Sequence, residues 1–262
     1  MLVFSAIVPH PPILIPSIGK ENIKKLKKTI HALDILEQDL NDAKPDTLIV
    51  ITPHGDINFD AFTINTNQKY TATFEKFGEF STKQEFKSDL GFINQLKGAN
   101  EVELPIQLIS ESTLDHGASV PLYYLTRKNP DYRIVPMTYS FLNFQKHIEF
   151  GEVLKEAIYS SDKKYAIIAS GDLSHRLSMQ APAGFSPKAK EFDKKLIQLL
   201  KKKSVEGILN MEPAFIEEAG ECGLRSFLIM LGAIKNMSYD FEVLSYEAPF
   251  GVGYLVGSVK FK

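Results

Sequence analysis

The sequence predicts an α/β fold: a single domain whose central mixed, mostly parallel sheet carries helices on both faces. Three observations predict it. Short β-branched or aromatic runs recur along the chain and read as buried strands. Helical stretches with one charged face stand between several of them. The alternation of the two periods is that of a largely parallel sheet covered on both sides.

Taken in order, residues 2–8 form the first strand. Residues 21–40 form a helix, because Ile23, Leu26, Ile30, Leu33, Leu36 and Leu40 recur at helical spacing with lysines opposite. Residues 47–52 and 61–66 are strands. The segments AFTINT and YTATF are alternating and Thr-rich, and a charged stretch follows them. The region near 60–88 therefore reads as a hairpin insertion instead of a core βαβ unit. Strands follow at 133–137 and 165–169, with a helix between them at 144–159. A helix at 187–203 ends in Lys201, Lys202 and Lys203, where cations suit the helix dipole. The last helix spans 222–235, and strands at 241–245 and 253–259 close the chain. No repeat or linker marks a boundary, so residues 1–262 are read as one domain.

Composition narrows the function. The chain has 30 Lys and Arg against 32 Asp and Glu, and 44% of it is apolar, which excludes a disordered chain. A net charge of −2 gives no basic footprint for nucleic acid or an anionic membrane. One cysteine excludes a disulfide framework and a four-cysteine zinc site. The apolar start MLVFSAIVPHPPILIP has no basic leader and is broken by four prolines, so neither a signal peptide nor a spanning helix is expected. A cytoplasmic protein follows, with its lone thiol reduced.

The histidines carry the chemistry. His10 in VPHPP, His54 in TPHGD and His175 in GDLSH each stand just beyond a strand-like run. In open α/β sheets that edge is where ligands bind. His116, in LDHGASVP, sits in a loop directly before an apolar helix start. His31 and His147 are assigned to helix surfaces. A histidine after a strand is usually a hydrogen-bonded loop residue, but several on one edge suit a metal or acid/base site.

Two histidines and a carboxylate would make a non-haem iron(II) site. The carboxylate candidates are Asp56, Asp115, Asp172, Glu217, Glu218, Glu221 and Glu247. Glu221, at the start of the last helix, is the most suggestive, either as a ligand or as a plain helix cap. Its neighbour Cys222 reads either as a small buried hydrophobe or as a thiolate favoured by the helix N-terminus. Adjacent residues there point in different directions, so the two do not share one ion. No phosphate-binding loop, dinucleotide fingerprint or nucleophile elbow is present.

Together and in this order, VPHPP, TPHGD, LDHGASVPL, SGDLSHRL, AGECGLRSFLIMLGA and SYEAPFGVGY resemble the LigB-like superfamily of class III extradiol ring-cleavage dioxygenases. The nearest match is its Memo-like branch, linked to the AmmeMemoRadiSam system. The resemblance runs nearly end to end. It implies a single catalytic domain with a metal at one sheet edge. His10 and His54 match the two histidine ligands, and Glu221 looks like the third. Cys222-Gly223 also matches the Memo-like pattern, in which cysteine is the third ligand. His175 matches the acid/base histidine, and His116 a second active-site histidine that hydrogen-bonds substrate or bound oxygen.

The implied function is a non-haem iron(II)-dependent extradiol-type dioxygenase cleaving a catechol-like ring with O2. The alternative is a Memo-like metal-binding or redox protein without ring cleavage, with zinc or copper as further metals for a thiolate site. A small aromatic substrate and O2 are the expected partners. A homo-oligomer, or partnership with a radical enzyme or modification system, is compatible with the resemblance. The loops at 56–88 and 177–185 would shape the pocket.

Overall fold

Val8, Thr52 and Ser170 end three neighbouring parallel strands, and their alignment builds the edge on which the histidines gather. The computed structural model describes residues 1–100 and 104–262. The strands are β1 (Leu2–Val8), β2 (Thr47–Thr52), β3 (Phe62–Asn65), β4 (Lys69–Phe74), β5 (Glu79–Ser88), β6 (Ile106–Ile109), β7 (Thr113–Leu114), β8 (Arg133–Thr138), β9 (Tyr165–Ser170), β10 (Tyr239–Glu247) and β11 (Tyr254–Phe261). The α-helices are α1 (Pro16–Gly19), α2 (Lys27–Ala43), α3 (Leu90–Ala99), α4 (His116–Leu125), α5 (Phe144–Tyr159), α6 (Ala189–Lys201), α7 (Val205–Leu209), α8 (Pro213–Ala219) and α9 (Leu224–Ala233).

Among the described residues one mixed sheet of 11 strands runs β10-β11-β1-β9-β2-β8-β5-β4-β7, with β3 and β6 branching from β8. The central strands β1, β9, β2 and β8 are mutually parallel, as expected. Both faces are covered. In β2, Leu48 and Val50 enter one apolar cluster with α2 and α4, while Ile49 and Ile51 enter another with α5 and α9. Such a strand has no polar face, which is why its sequence is a continuous apolar run. The helices α5 and α9 pack closely because Gly151 and Gly232 meet the facing backbone, where a Cβ on either would collide with a carbonyl.

The region read as a hairpin insertion divides in two. The hairpin is β4–β5, whereas β3 is a strand of the main sheet, antiparallel to β8 through Thr63 and Ile64. Strand β8 therefore has two partners on one side, β5 at Arg133 and Ile134 and β3 at Met137 and Thr138. The sheet forks there. Several predicted bounds shift: the helix expected from residue 21 begins as a 3-10 turn, Lys20–Leu26, and the one expected from 222 begins at Leu224. The short elements β6, β7, α3, α7 and α8 have too little periodicity to be read locally.

Candidate metal centre

The three histidines predicted beyond strand ends come together with His116, which the sequence places in the loop before a helix. His10 and His54 follow the ends of β1 and β2, and His116 opens α4 beneath its N-cap Asp115, whose side chain accepts from Ala118 N. Gly117 presses that helix start against the end of β2, since a Cβ there would collide with Thr52 Oγ1. His116 consequently stacks on His54, with ring centroids 4.2 Å apart and 20° between planes. His10 stands edge-on to both, at 4.8 and 5.5 Å.

The orientation of His10 is fixed from behind. Ser170 Oγ donates to Gly117 O at 2.6 Å, so it accepts from His10 Nδ1 at 2.9 Å. That assigns the proton to Nδ1 and leaves the Nε2 lone pair facing forward, the arrangement that metal-ligating histidines use. His10 is 2% exposed, and burial, helped by the three neighbouring imidazoles, holds its pKa well below the usual range. Its ring is neutral. Burial and the neighbouring His116 and His175 bring His54 down to about 4.

His54 Nε2 lies 2.9 Å from His10 Nε2, and Cys222 Sγ lies 3.6 Å from the same atom. The ligand atoms of His10, His54 and Cys222 all fall within 4.8 Å of one another. An ion about 2.1 Å from nitrogen and 2.3 Å from sulfur spans separations of that order. Sγ also accepts the backbone N–H of Asp172 at 3.3 Å, a bond that suits a thiolate. Burial pushes the Cys222 thiol well above its ordinary pKa, so without a nearby cation it stays protonated.

Glu221, expected as the third ligand, lies outside this group. Its carboxylate accepts from Leu224 N at 2.6 Å and caps α9, and burial pushes its pKa up to about 7. The one-residue difference is decided by packing. Gly171, at the exit of β9, lies against Gly223, where a Cβ would collide with the facing Cα. Cys222 N and Gly223 N both approach Asp172 O, at 3.4 and 3.2 Å. This contact turns the sulfur toward the imidazoles.

His175 Nδ1 donates to Gly220 O at 2.8 Å, and Gly220 adopts the left-handed conformation at φ 61°. Nε2 is then the unprotonated nitrogen, 3.9 Å from Asp172 Oδ2. Asp172 is buried, accepts from His10 N at 3.0 Å, and lies 4.0 Å from His10 Nε2. Burial raises it to about 7. Among the seven candidate carboxylates, Asp172 is thus the one within 4.0 Å of an imidazole nitrogen, and its place directly after a strand, in SGDLSH, is the signal that marks it.

His147 departs from expectation. It is fully buried on the inner face of α5, its ring nitrogens 2.9 Å from Asn143 O and 3.0 Å from Ser140 O, against Phe62. Its polar neighbours in sequence face solvent while the ring turns inward. His31 is exposed, as expected. A cavity of about 380 Å³ opens over the four histidines, walled by Pro12, Pro182, Phe250 and Val252. A second, of about 360 Å³, fills the sheet fork on the other side of His54.

The pattern of the family described as the catalytic LigB subunit of aromatic ring-opening dioxygenase matches residues 5–257. The chain belongs to this family. The chain is 32% identical over 258 residues to Protein CA_C1420 of Clostridium acetobutylicum, covering 95% of itself and 55% of that protein. It thus spans about half the length of that relative. It is 25% identical to a 3,4-dihydroxyphenylacetate 2,3-dioxygenase of Escherichia coli, covering 78% of this chain and 79% of the other. It is also 31% identical over 135 residues to the MEMO1 family protein Mbar_A1422 of Methanosarcina barkeri, covering 51% and 48%. The crystal structure of the uncharacterized protein JW3007 from Escherichia coli K12 shares the fold, with a TM-score of 0.67 at 16% identity over 98% of this chain and 99% of that one. Among the described residues no helix is long and apolar enough to cross a membrane.

Proposed function

We propose that this LigB-family chain is a metal-dependent oxidoreductase that opens a small catechol-like ring with O2, using iron(II). The observation that carries the reading is the convergence of His10 Nε2, His54 Nε2 and Cys222 Sγ beneath a cavity that also holds His116 and His175. When bound, iron(II) supplies a meeting point for both reactants and a path for electrons between them.

The chain's own groups do the rest. His175 Nε2 is poised to take a proton from a substrate hydroxyl and return it to the product, while its Nδ1–H bond to Gly220 O keeps that nitrogen the basic one. His116, held against His54, offers a hydrogen bond to the second reactant. The prolines and Phe250 of the cavity wall suit a flat apolar ring and limit water around it. The named activity of the Escherichia coli dioxygenase relative supports this substrate class.

A second reading is favoured by the sulfur donor. A thiolate in place of a carboxylate suits zinc or copper(I) as well as iron. The MEMO1 family relative supports the Memo-like resemblance, which implies a metal-binding or redox protein without ring cleavage that serves a modification system. One experiment separates the two. The protein is loaded with iron(II) without air, its metal content measured, and a catechol panel then added in air. Oxygen uptake with a coloured ring-opened product supports the dioxygenase. Full iron occupancy with no uptake across the panel sinks it in favour of the second reading.

A further inference from the structure

We infer that Tyr254 is a catalytic residue of this site, its hydroxyl donating a hydrogen bond to an oxygen of the bound aromatic substrate. The inference rests on the proposed reading of the cavity as a catechol site.

Tyr254 opens β11 and is 3% exposed, yet it lines the cavity shared by His10, His54, His116 and His175. Its ring is packed in the apolar cluster with Val252 and Phe4. Its hydroxyl has no hydrogen-bond partner among the described residues, and only burial and the nearby Asp172 act on it, both opposing its ionisation. It is therefore a neutral donor. Tyr70, Tyr124 and Tyr246 behave differently, handing their hydroxyls to Asn65 O, Leu14 O and Asp193 Oδ2. A hydroxyl that no protein group accepts from is left to donate to whatever occupies the cavity that Tyr254 lines. The open side here is the cavity.

The position is also held rigidly. Leu173 N donates to Gly253 O at 2.8 Å, and Gly253 N donates to Ser174 O at 2.9 Å. Leu177 N donates to Gly251 O at 3.0 Å. Gly253 sits against Asp193, where a Cβ would collide with the carboxylate, and Gly251 has φ 77°. The segment Gly251–Gly253 is thus bonded to the loop that carries His175. Tyr254 and His175 keep a fixed relation across the cavity, one a neutral donor and the other a base. A phenolic oxygen that gives its proton to His175 gains negative charge, and a neutral hydroxyl is the donor that stabilises it without adding a second base.

The test uses the whole protein loaded with zinc, which turns nothing over, titrated with 4-nitrocatechol, whose visible spectrum reports its ionisation. Tyr254→Phe removes one oxygen and leaves the packing. It should raise the dissociation constant about tenfold, the effect of one lost hydrogen bond. Zinc content and melting temperature should stay at wild-type values. Tyr246→Phe, whose hydroxyl is already partnered outside the cavity, should bind the probe as the wild type does. Wild-type affinity in Tyr254→Phe overturns the assignment and leaves the catechol reading standing. Failure of the wild type itself to bind the probe overturns both.

Discussion

The Nε2 atoms of His10 and His54 stand 2.9 Å apart although Nδ1 of His10 already carries that ring's proton, given to Ser170. One lone pair therefore points at the neighbouring ring nitrogen, and a shared proton or a cation is what makes that approach favourable. Cys222 Sγ, 3.6 Å from His10 Nε2, completes the set.

Cys222→Ser should weaken metal binding by about tenfold or more, because a hydroxyl is a poor replacement for a thiolate donor. Glu221→Gln should keep the metal. Its amide oxygen can still accept from Leu224 N at the start of α9, so stability should change by less than about 1 kcal/mol. Elemental analysis after dialysis, together with thermal unfolding, checks the ranking. The reverse ranking would return the third-ligand role to Glu221.

Ser170→Ala removes the acceptor that fixes the His10 tautomer. Metal affinity should fall about 10- to 100-fold, the usual effect of losing a ligand's supporting hydrogen bond. The side chain is small and its site at the end of β9 is buried, so the fold should persist. Competition with a chelator of known affinity measures the change.

His175→Phe should retain the metal and lose turnover by about 10²- to 10⁴-fold, the range for a general acid/base. Its hydrogen bond to Gly220 O lies behind the ring, away from the donor set. Metal content and oxygen uptake, measured on the same sample, separate the two roles. Loss of the metal along with activity would show that His175 serves binding instead.

Acid should destabilise the protein through His147. Burial lowers its folded pKa from 6.5 to about 4. As pH falls through 6.5, the unfolded chain takes up a proton that the folded chain refuses, so stability declines down to about pH 4. The slope approaches about 1.4 kcal/mol per pH unit for one such group. The buried site histidines add in the same direction, so the contribution of His147 is read as the difference between wild type and His147→Gln in denaturant melts at pH 7 and 5. Identical pH dependence in the two proteins would mean that folding leaves the pKa of His147 unchanged, and a steeper acid loss in His147→Gln would mean that the folded ring is protonated between its two carbonyl neighbours.

The strands and their edge are legible in the sequence because buried parallel strands leave continuous apolar runs, and a histidine directly after such a run marks the edge. What distant segments impose is not legible. The Thr-rich alternation of Phe62–Asn65 says that one face is polar, but not that β8 is the partner. His147 sits among polar residues in sequence, and only the packing of α5 against Phe62 turns it inward. Which of Glu221 and Cys222 faces the imidazoles is one residue of register at a helix start, where Gly171 and Gly223 meet. No local pattern contains that contact.

His10 and Cys222 are 212 positions apart, and His54 lies between them. A donor set drawn from such separated points exists only when β1, β9 and β2 have paired and α9 has docked. Before that, the chain offers scattered single donors with little hold on an ion. A bound ion would then act as a clasp across the longest loops of the chain, and its binding energy would appear as resistance to global unfolding. Uptake of metal by a nascent or damaged molecule becomes a readout of whether the whole sheet is in place.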